Sequence, residues 1–315
     1  MAATDGRRRL RRSVRAASAP DTSSLVGHSR VLPYALSLPA ILMVSALLAF
    51  PVLYALWGSL FATDFIGGPQ RFVGLEQYVN LFTDPDFLWS ISRTFVFVGG
   101  TLVIGMALGL VFGFALNRAA SSLRFLRGVT IVPYLVSGIA TAVIFRLVLN
   151  QNFGQVNRIL SFFGVPSLAW FSDPDLAMLA SVLAQVWSDL PLVVLLILGG
   201  LQTIDPQLLD AAQVDGATGW ARAWRISMPL IAPQIALATI LLSYQALTSL
   251  GVIVALTGGG PVDATRTLPI ALYETAFIDL ETNAALAIVI VILLFNALLT
   301  LGYIALSRRH DLESL

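Results

Sequence analysis

Asp189 is the residue whose position demands most of its surroundings. It lies near the middle of an apolar run from about 176 to 199, where an ionised carboxylate costs on the order of 2.5 to 3.5 kcal/mol by insertion scales. It must therefore face protein or water. Two readings stand: the carboxylate lines a path or gate for a polar solute, or it hydrogen-bonds a neighbouring helix near a break at Pro191. Trp187 and Ser188 directly precede it. An aromatic ring beside a carboxylate can pack on a sugar and hydrogen-bond it; the indole can equally face lipid. A second polar group, Tyr244, Gln245, Thr248 and Ser249, interrupts the apolar run from about 229 to 256. On a helix, positions 244, 245 and 248 share a face. They can line a cavity, or bond helix to helix at about 0.6 kcal/mol per contact.

Composition removes most other chemistry. All 19 basic residues are arginine, so lysine is absent, and so is cysteine. A P-loop needs its lysine, a Schiff base needs one too, and thiol catalysis, disulfides and cysteine-zinc sites need sulfur. His28 and His310 fall near the termini, outside every apolar run, which removes histidine acid-base chemistry from the membrane and leaves an intramembrane serine hydrolase without its partner. The run Gly258 to Gly260 has no following Lys-Ser or Lys-Thr and reads as a tight turn, not a phosphate loop. No catalytic or metal-binding set is expected. The formal net charge of +1 gives no basic surface for nucleic acid.

The chain is 57% hydrophobic and 12% charged, with a mean hydropathy of +0.82, far more apolar surface than a soluble core of this size can hide. Six apolar runs are each long enough to cross a bilayer, at about 33–61, 94–116, 128–149, 176–199, 229–256 and 283–306. Pro51, Pro133 and Pro191 fall within them and predict kinks. The reading is all-α: a tail over 1–30 that is expected to be unordered, a six-span domain over 31–307, and a short tail over 308–315. Arginines fix the orientation. Arg7, Arg8, Arg9, Arg11, Arg12, Arg15, Arg30, Arg118, Arg124, Arg127, Arg222, Arg225, Arg308 and Arg309 fall on one side; Arg71, Arg93, Arg158 and Arg266 fall on the other. The positive-inside rule then places both termini in the cytoplasm. The first run is too long for a signal-peptide core and reads as an uncleaved span whose basic flank touches anionic lipid.

The cytoplasmic loop 200–228 has a pattern of its own. Asp205 followed by Pro206 is a helix start, and Gly216 a stop that accepts left-handed geometry. Trp220 and Trp224, one turn apart, predict a second short helix at the interface. Taken alone, this is a surface helix joining two spans. The run Asp210-Ala211-Ala212, Asp215-Gly216-Ala217, Ile226 and Met228-Pro229 resembles the EAA loop of binding-protein-dependent ABC importer permeases. Phe72-Val73-Gly74-Leu75 with Tyr78, and Thr257-Gly258-Gly259-Gly260-Pro261, are similar to segments of the sugar-importer branch. The likeness covers about 30 to 310. Asp210 stands where the family usually has glutamate, one methylene longer. The best-known maltose permease has extra spans and a large outer domain that this chain lacks, and the short permeases for sugars or glycerol phosphate are the better match.

The resemblance implies a type I ABC importer permease fold in the bacterial inner membrane, with half a translocation path for a di- or oligosaccharide; a glycerol phosphate or polyol is the alternative. It implies a second, related permease, two ATPase subunits that use ATP and Mg, and an external solute-binding protein, the loop helix docking in an ATPase cleft. This chain binds no cofactor of its own on that reading. A secondary transporter would need more buried ionisable groups than Asp189 and would leave the loop pattern unexplained.

Overall fold

A computed structural model describes residues 32–63, 68, 70–118 and 125–313; the expected N-terminal tail over 1–30 lies outside the described residues. The chain divides into two units between Val52 and Leu53. The described part of the first belongs to helix α1, Leu32–Gly58, which runs unbroken through Pro39 and Pro51.

The second unit opens on the last turn of α1 and an antiparallel hairpin, β1 (Phe61–Thr63) with β2 (Gln70–Phe72), which pairs Phe61 with Phe72. No strand is expected from the sequence. It forms because the Leu60 carbonyl accepts from the backbone N–H groups of Val73 and Gly74, at 2.9 and 3.1 Å, and Gly74 takes a φ of +60° that favours glycine. Helix α2 (Glu76–Thr83) follows, and its Tyr78 hydroxyl meets Ser59 at 2.7 Å. The Phe72 to Leu75 motif is thus a staple at the end of α1.

Helix α3 (Pro85–Arg118) packs along α7 (Pro174–Leu201). Phe97, Thr101, Gly105, Gly109 and Gly113 recur every fourth residue on α3 and are all buried. That spacing makes one face, and its small residues let two backbones approach. A Cβ at Gly105 would stand 2.9 Å from Leu242, one at Gly113 would stand 2.6 Å from Ile197, and one at Gly109 would collide with Val193. Helix α11 (Ala232–Leu247) fills the remaining side, where Val193, Ile197, Leu201, Ile231, Ala238 and Leu242 form a buried cluster.

Helices α1, α3, α7 and α14 (Thr282–Glu313) are long and apolar enough to cross a membrane, and two bent pairs complete six if each is one span. The third run, 128–149, bends at the kink expected from Pro133. Helix α4 (Phe125–Thr130) passes into a 3₁₀ turn over Val132–Leu135 and then into α5 (Gly138–Val148), with a bend of 100°. Pro133 lacks the amide a helix needs, and Ser137 caps a new start by accepting from the Ala140 amide at 3.3 Å. The fifth run, 229–256, is also bent. Helical residues 219–230 meet α11 at 73°, and the chain breaks again at Thr248 before α12 (Gly251–Leu256). Pro191, by contrast, sits inside an unbroken α7.

Short helices occupy the loops: α6 (Gln155–Phe162), α8 (Pro206–Val214), α9 (Gly219–Arg222), α10 (Met228–Leu230) and α13 (Leu268–Phe277). The expected turn at Gly258 to Gly260 is present, with φ of +63° and +92° at Gly258 and Gly259. Thr265 fastens it, its hydroxyl 2.7 Å from that of Thr257 and 2.9 Å from the Gly260 carbonyl. The tail expected over 308–315 is helical as far as Glu313, within α14.

The glycine face yields a contrast of single methyl groups. Gly109→Ala is expected to lower stability by about 1 to 3 kcal/mol through overpacking against Val193. Gly99→Ala, whose Cβ meets nothing within 4 Å, is expected to be neutral or to stabilise by about 0.5 to 1 kcal/mol. Thermal unfolding midpoints in detergent check the pair; equal shifts would contradict the close approach.

Candidate functional site

The two breaks converge on the middle of α7. A cavity of about 480 Å³ lies between Tyr134, Val136 and Gly138 from the third run, Gln185, Ser188 and Asp189 from α7, and residues 248 to 252 with Gln245 from the fifth. Each break leaves backbone groups without helical partners, tolerable at membrane depth only where the chain lines a polar cavity or is buried in protein. The second break has a local cause. The Thr248 hydroxyl donates back to the Tyr244 carbonyl at 2.8 Å, Ser249 turns away to α7, and Gly251 follows, a sequence that favours leaving a helix.

Asp189 is 4% exposed. Its Oδ2 accepts from Gln185 Nε2 at 2.7 Å, one turn back on the same helix, and Gln185 Oε1 accepts from the Ser249 hydroxyl at 2.6 Å. The carboxylate also pairs with the Gln245 side chain on α11, so Asp189 is bonded both within its own helix and to a neighbouring one. Gln185 bridges the carboxylate to the fifth run. Ser188 faces the same cavity, its hydroxyl 3.0 Å from that of Thr141 on α5. Gln185 is absent from the sequence reading, although its i, i+4 spacing to Asp189 is a known helical hydrogen-bonding pair.

The remaining expected residues separate. Gln245, Thr248 and Ser249 line the cavity. Tyr244 is not among the lining residues and is exposed. Trp187 also stands apart, half-buried with its ring edge-on to Phe145 at 6.0 Å.

At one end of the bundle, α8 carries the expected caps. Asp205 accepts from the Gln207 amide at 2.9 Å. At its other end Ala217 N–H donates to the Ala212 carbonyl at 2.9 Å and Gly216 N–H to Gln213 at 3.1 Å, with Gly216 at φ +84°, the paired bonds of a Schellman ending. Asp210, Ala211 and Asp215 are exposed, and Ala212 and Ala217 half-buried. Arg222 Nη1 donates to Gln213 Oε1 at 2.9 Å, fastening α8 to α9, after which a π-helical turn spans Ala223–Ser227.

The family model described as "Binding-protein-dependent transport system inner membrane component" matches residues 102–311. The chain belongs to this family. It is 32% identical over 292 residues to the trehalose/maltose transport system permease protein MalF of Thermococcus litoralis, a match that covers 92% of this chain and 98% of that one. The sulfoquinovosyl glycerol transport system permease protein SmoG of Agrobacterium fabrum is 32% identical, covering 90% and 92%. The sn-glycerol-3-phosphate transport system permease protein UgpA of Escherichia coli O157:H7 is 33% identical, covering 86% and 93%. In fold, the permease superposes on a chain of a bacterial ABC transporter involved in the import of the acidic polysaccharide alginate, with a TM-score of 0.75 at 23% identity, covering 88% of this chain and 95% of that one. This permease is therefore a multi-pass component of an ABC importer.

The buried carboxylate gives a sharp expectation. Asp189→Leu is expected to insert and assemble with normal yield, since leucine is easier to bury than a charge, and to lose uptake by tenfold or more. Yield on purification and solute uptake in vesicles check this. Normal uptake would show the carboxylate to be dispensable, and failed assembly would show it to be a packing group.

Proposed function

We propose that this permease forms half of the translocation path for a neutral carbohydrate, with the cavity on α7 as its share of that path. The observation that carries the reading is the chemistry of the lining: amide, hydroxyl and carboxyl groups from Gln185, Ser188, Asp189, Gln245, Thr248 and Ser249, with no cation among them. Such groups pair with the many hydroxyls of a sugar. A phosphate would meet a carboxylate and find no arginine fork to neutralise it, which disfavours a glycerol phosphate. The likeness to a trehalose/maltose permease supports the same choice, and the likeness to glycerol-3-phosphate permeases names the alternative.

The second half of the path belongs to a related permease, and energy comes from two ATPase subunits, since a chain without lysine carries no P-loop of its own. A solute-binding protein delivers the sugar on the face opposite α8. Both termini, and α8, are cytoplasmic. ATP closes the ATPases, the docked α8 moves, and the cavity opens outward. Asp210, Ala211, Ala212, Asp215, Gly216 and Ala217 form the docking segment.

Gly216 separates docking from helix termination. A Cβ added there meets nothing within 4 Å, so the chain itself offers no steric obstacle, only the left-handed backbone. Asparagine tolerates that backbone, and Gly216→Asn is expected to fold normally and keep most activity. Gly216→Leu bears about 1 to 2 kcal/mol of backbone cost and also places bulk where the ATPase would sit. In reconstituted complex it is expected to lose most of the ATPase stimulation given by sugar-loaded binding protein. Full stimulation at normal stoichiometry would refute docking at this turn.

A further inference from the structure

Trp220 and Trp224 have no part in the cavity, and they border a second one. Between the last turns of α3 and residues 219–228 runs a groove of about 540 Å³, within the usual range for small-molecule sites. Leu110, Phe114 and Met228 line it together with the two indoles, and Arg118 is its one charged residue. The indole rings lie 5.5 Å apart, and Trp220 is 74% exposed, an arrangement suited to the boundary between headgroups and hydrocarbon.

Length and charge identify the occupant. The α3 residues that line the groove run from Ala107 to Arg118. Eleven helical steps span roughly 16 Å, close to half of the ~30 Å hydrocarbon core. The groove is one leaflet deep, apolar along its length, with its cation at headgroup level. Arg118 Nη2 reaches the Gly219 carbonyl only at 3.4 Å, and the one ion pair among the described residues is Arg266 with Glu274, so no described carboxylate neutralises it. A guanidinium so placed is a ready partner for a phosphate. We propose that this groove is a binding site for an anionic phospholipid of the inner leaflet, with its phosphate on Arg118 and an acyl chain laid along α3 beneath the tryptophans. A transmembrane helix from a partner chain fits less well, because it would need a groove of full span.

The proposal depends on membrane embedding and not on the sugar reading, and its test needs no transport. The assembled importer in detergent is exposed to phosphatidylglycerol or phosphatidylcholine of matched acyl chains, and retained lipid is counted by native mass spectrometry. Phosphatidylglycerol is expected to be retained preferentially, and Arg118→Gln to reduce that retention about fivefold, the effect of one arginine near an anionic surface. Arg225→Gln, an exposed arginine that does not line the groove, is expected to leave it unchanged. Equal retention of the two lipids, or equal losses in the two variants, would overturn the site in favour of diffuse surface charge. A benzophenone side chain at Phe114 is expected to cross-link to lipid; cross-linking to the second permease would overturn it as well.

Discussion

Backbone polar groups at membrane depth must be satisfied, and the architecture follows from how this chain meets that constraint. It breaks two of its apolar runs, near Pro133 and at Thr248 to Leu250, and turns both breaks toward the same stretch of α7. Neither break could face lipid. The polar residues opposite them are few and mutually engaged, with Ser249 bonded to Gln185, Gln185 to Asp189, and Thr141 to Ser188. What holds α7 in place is the glycine face of α3, against whose backbone Val193 and Ile197 of α7 are seated.

The same constraint links the cavity to the segment proposed to meet the ATPase. Helix α11 starts at the 73° bend beyond α9 and ends at the break that supplies Thr248 and Ser249. Its sixteen residues make a rod of roughly 24 Å, packed on α3 and α7 along its length. Arg222 joins α8 to the near end of that assembly. Displacement of α8 would thus reach the cavity through one helix, and the bond from Ser249 to Gln185 is where it would arrive.

Much of this is legible in the sequence, for identifiable reasons. Asp189 stands out because a carboxylate in an apolar run has few acceptable surroundings, and Asp205, Pro206 and Gly216 because each suits one position of a helix end. The two breaks are harder to read. Hydropathy averaged over twenty residues does not register a turn whose residues remain mostly apolar, such as Val132 to Val136, and a proline ends one helix at Pro133 while leaving another intact at Pro191. Tyr244 shares a helical face with Thr248 but not the cavity, a distinction that spacing alone does not make. Gln185 passes unnoticed because an amide in a span is a weak signal until its partners are in view. The motifs Phe72 to Leu75 and Thr257 to Pro261 prove to be staples of the loops, tied down by Leu60 and Thr265.

The central claim is that the α7 cavity is the sugar's path and alternates between the two sides of the membrane. The most direct test places a single cysteine at Ser188, in a chain with none of its own, and follows its reaction with a membrane-impermeant thiol reagent in oriented proteoliposomes of the full complex. The account predicts labelling from the α8 side without nucleotide, labelling from the opposite side when the ATPases are trapped closed, and protection by the transported sugar in the second state. Labelling that ignores both nucleotide and sugar would contradict it.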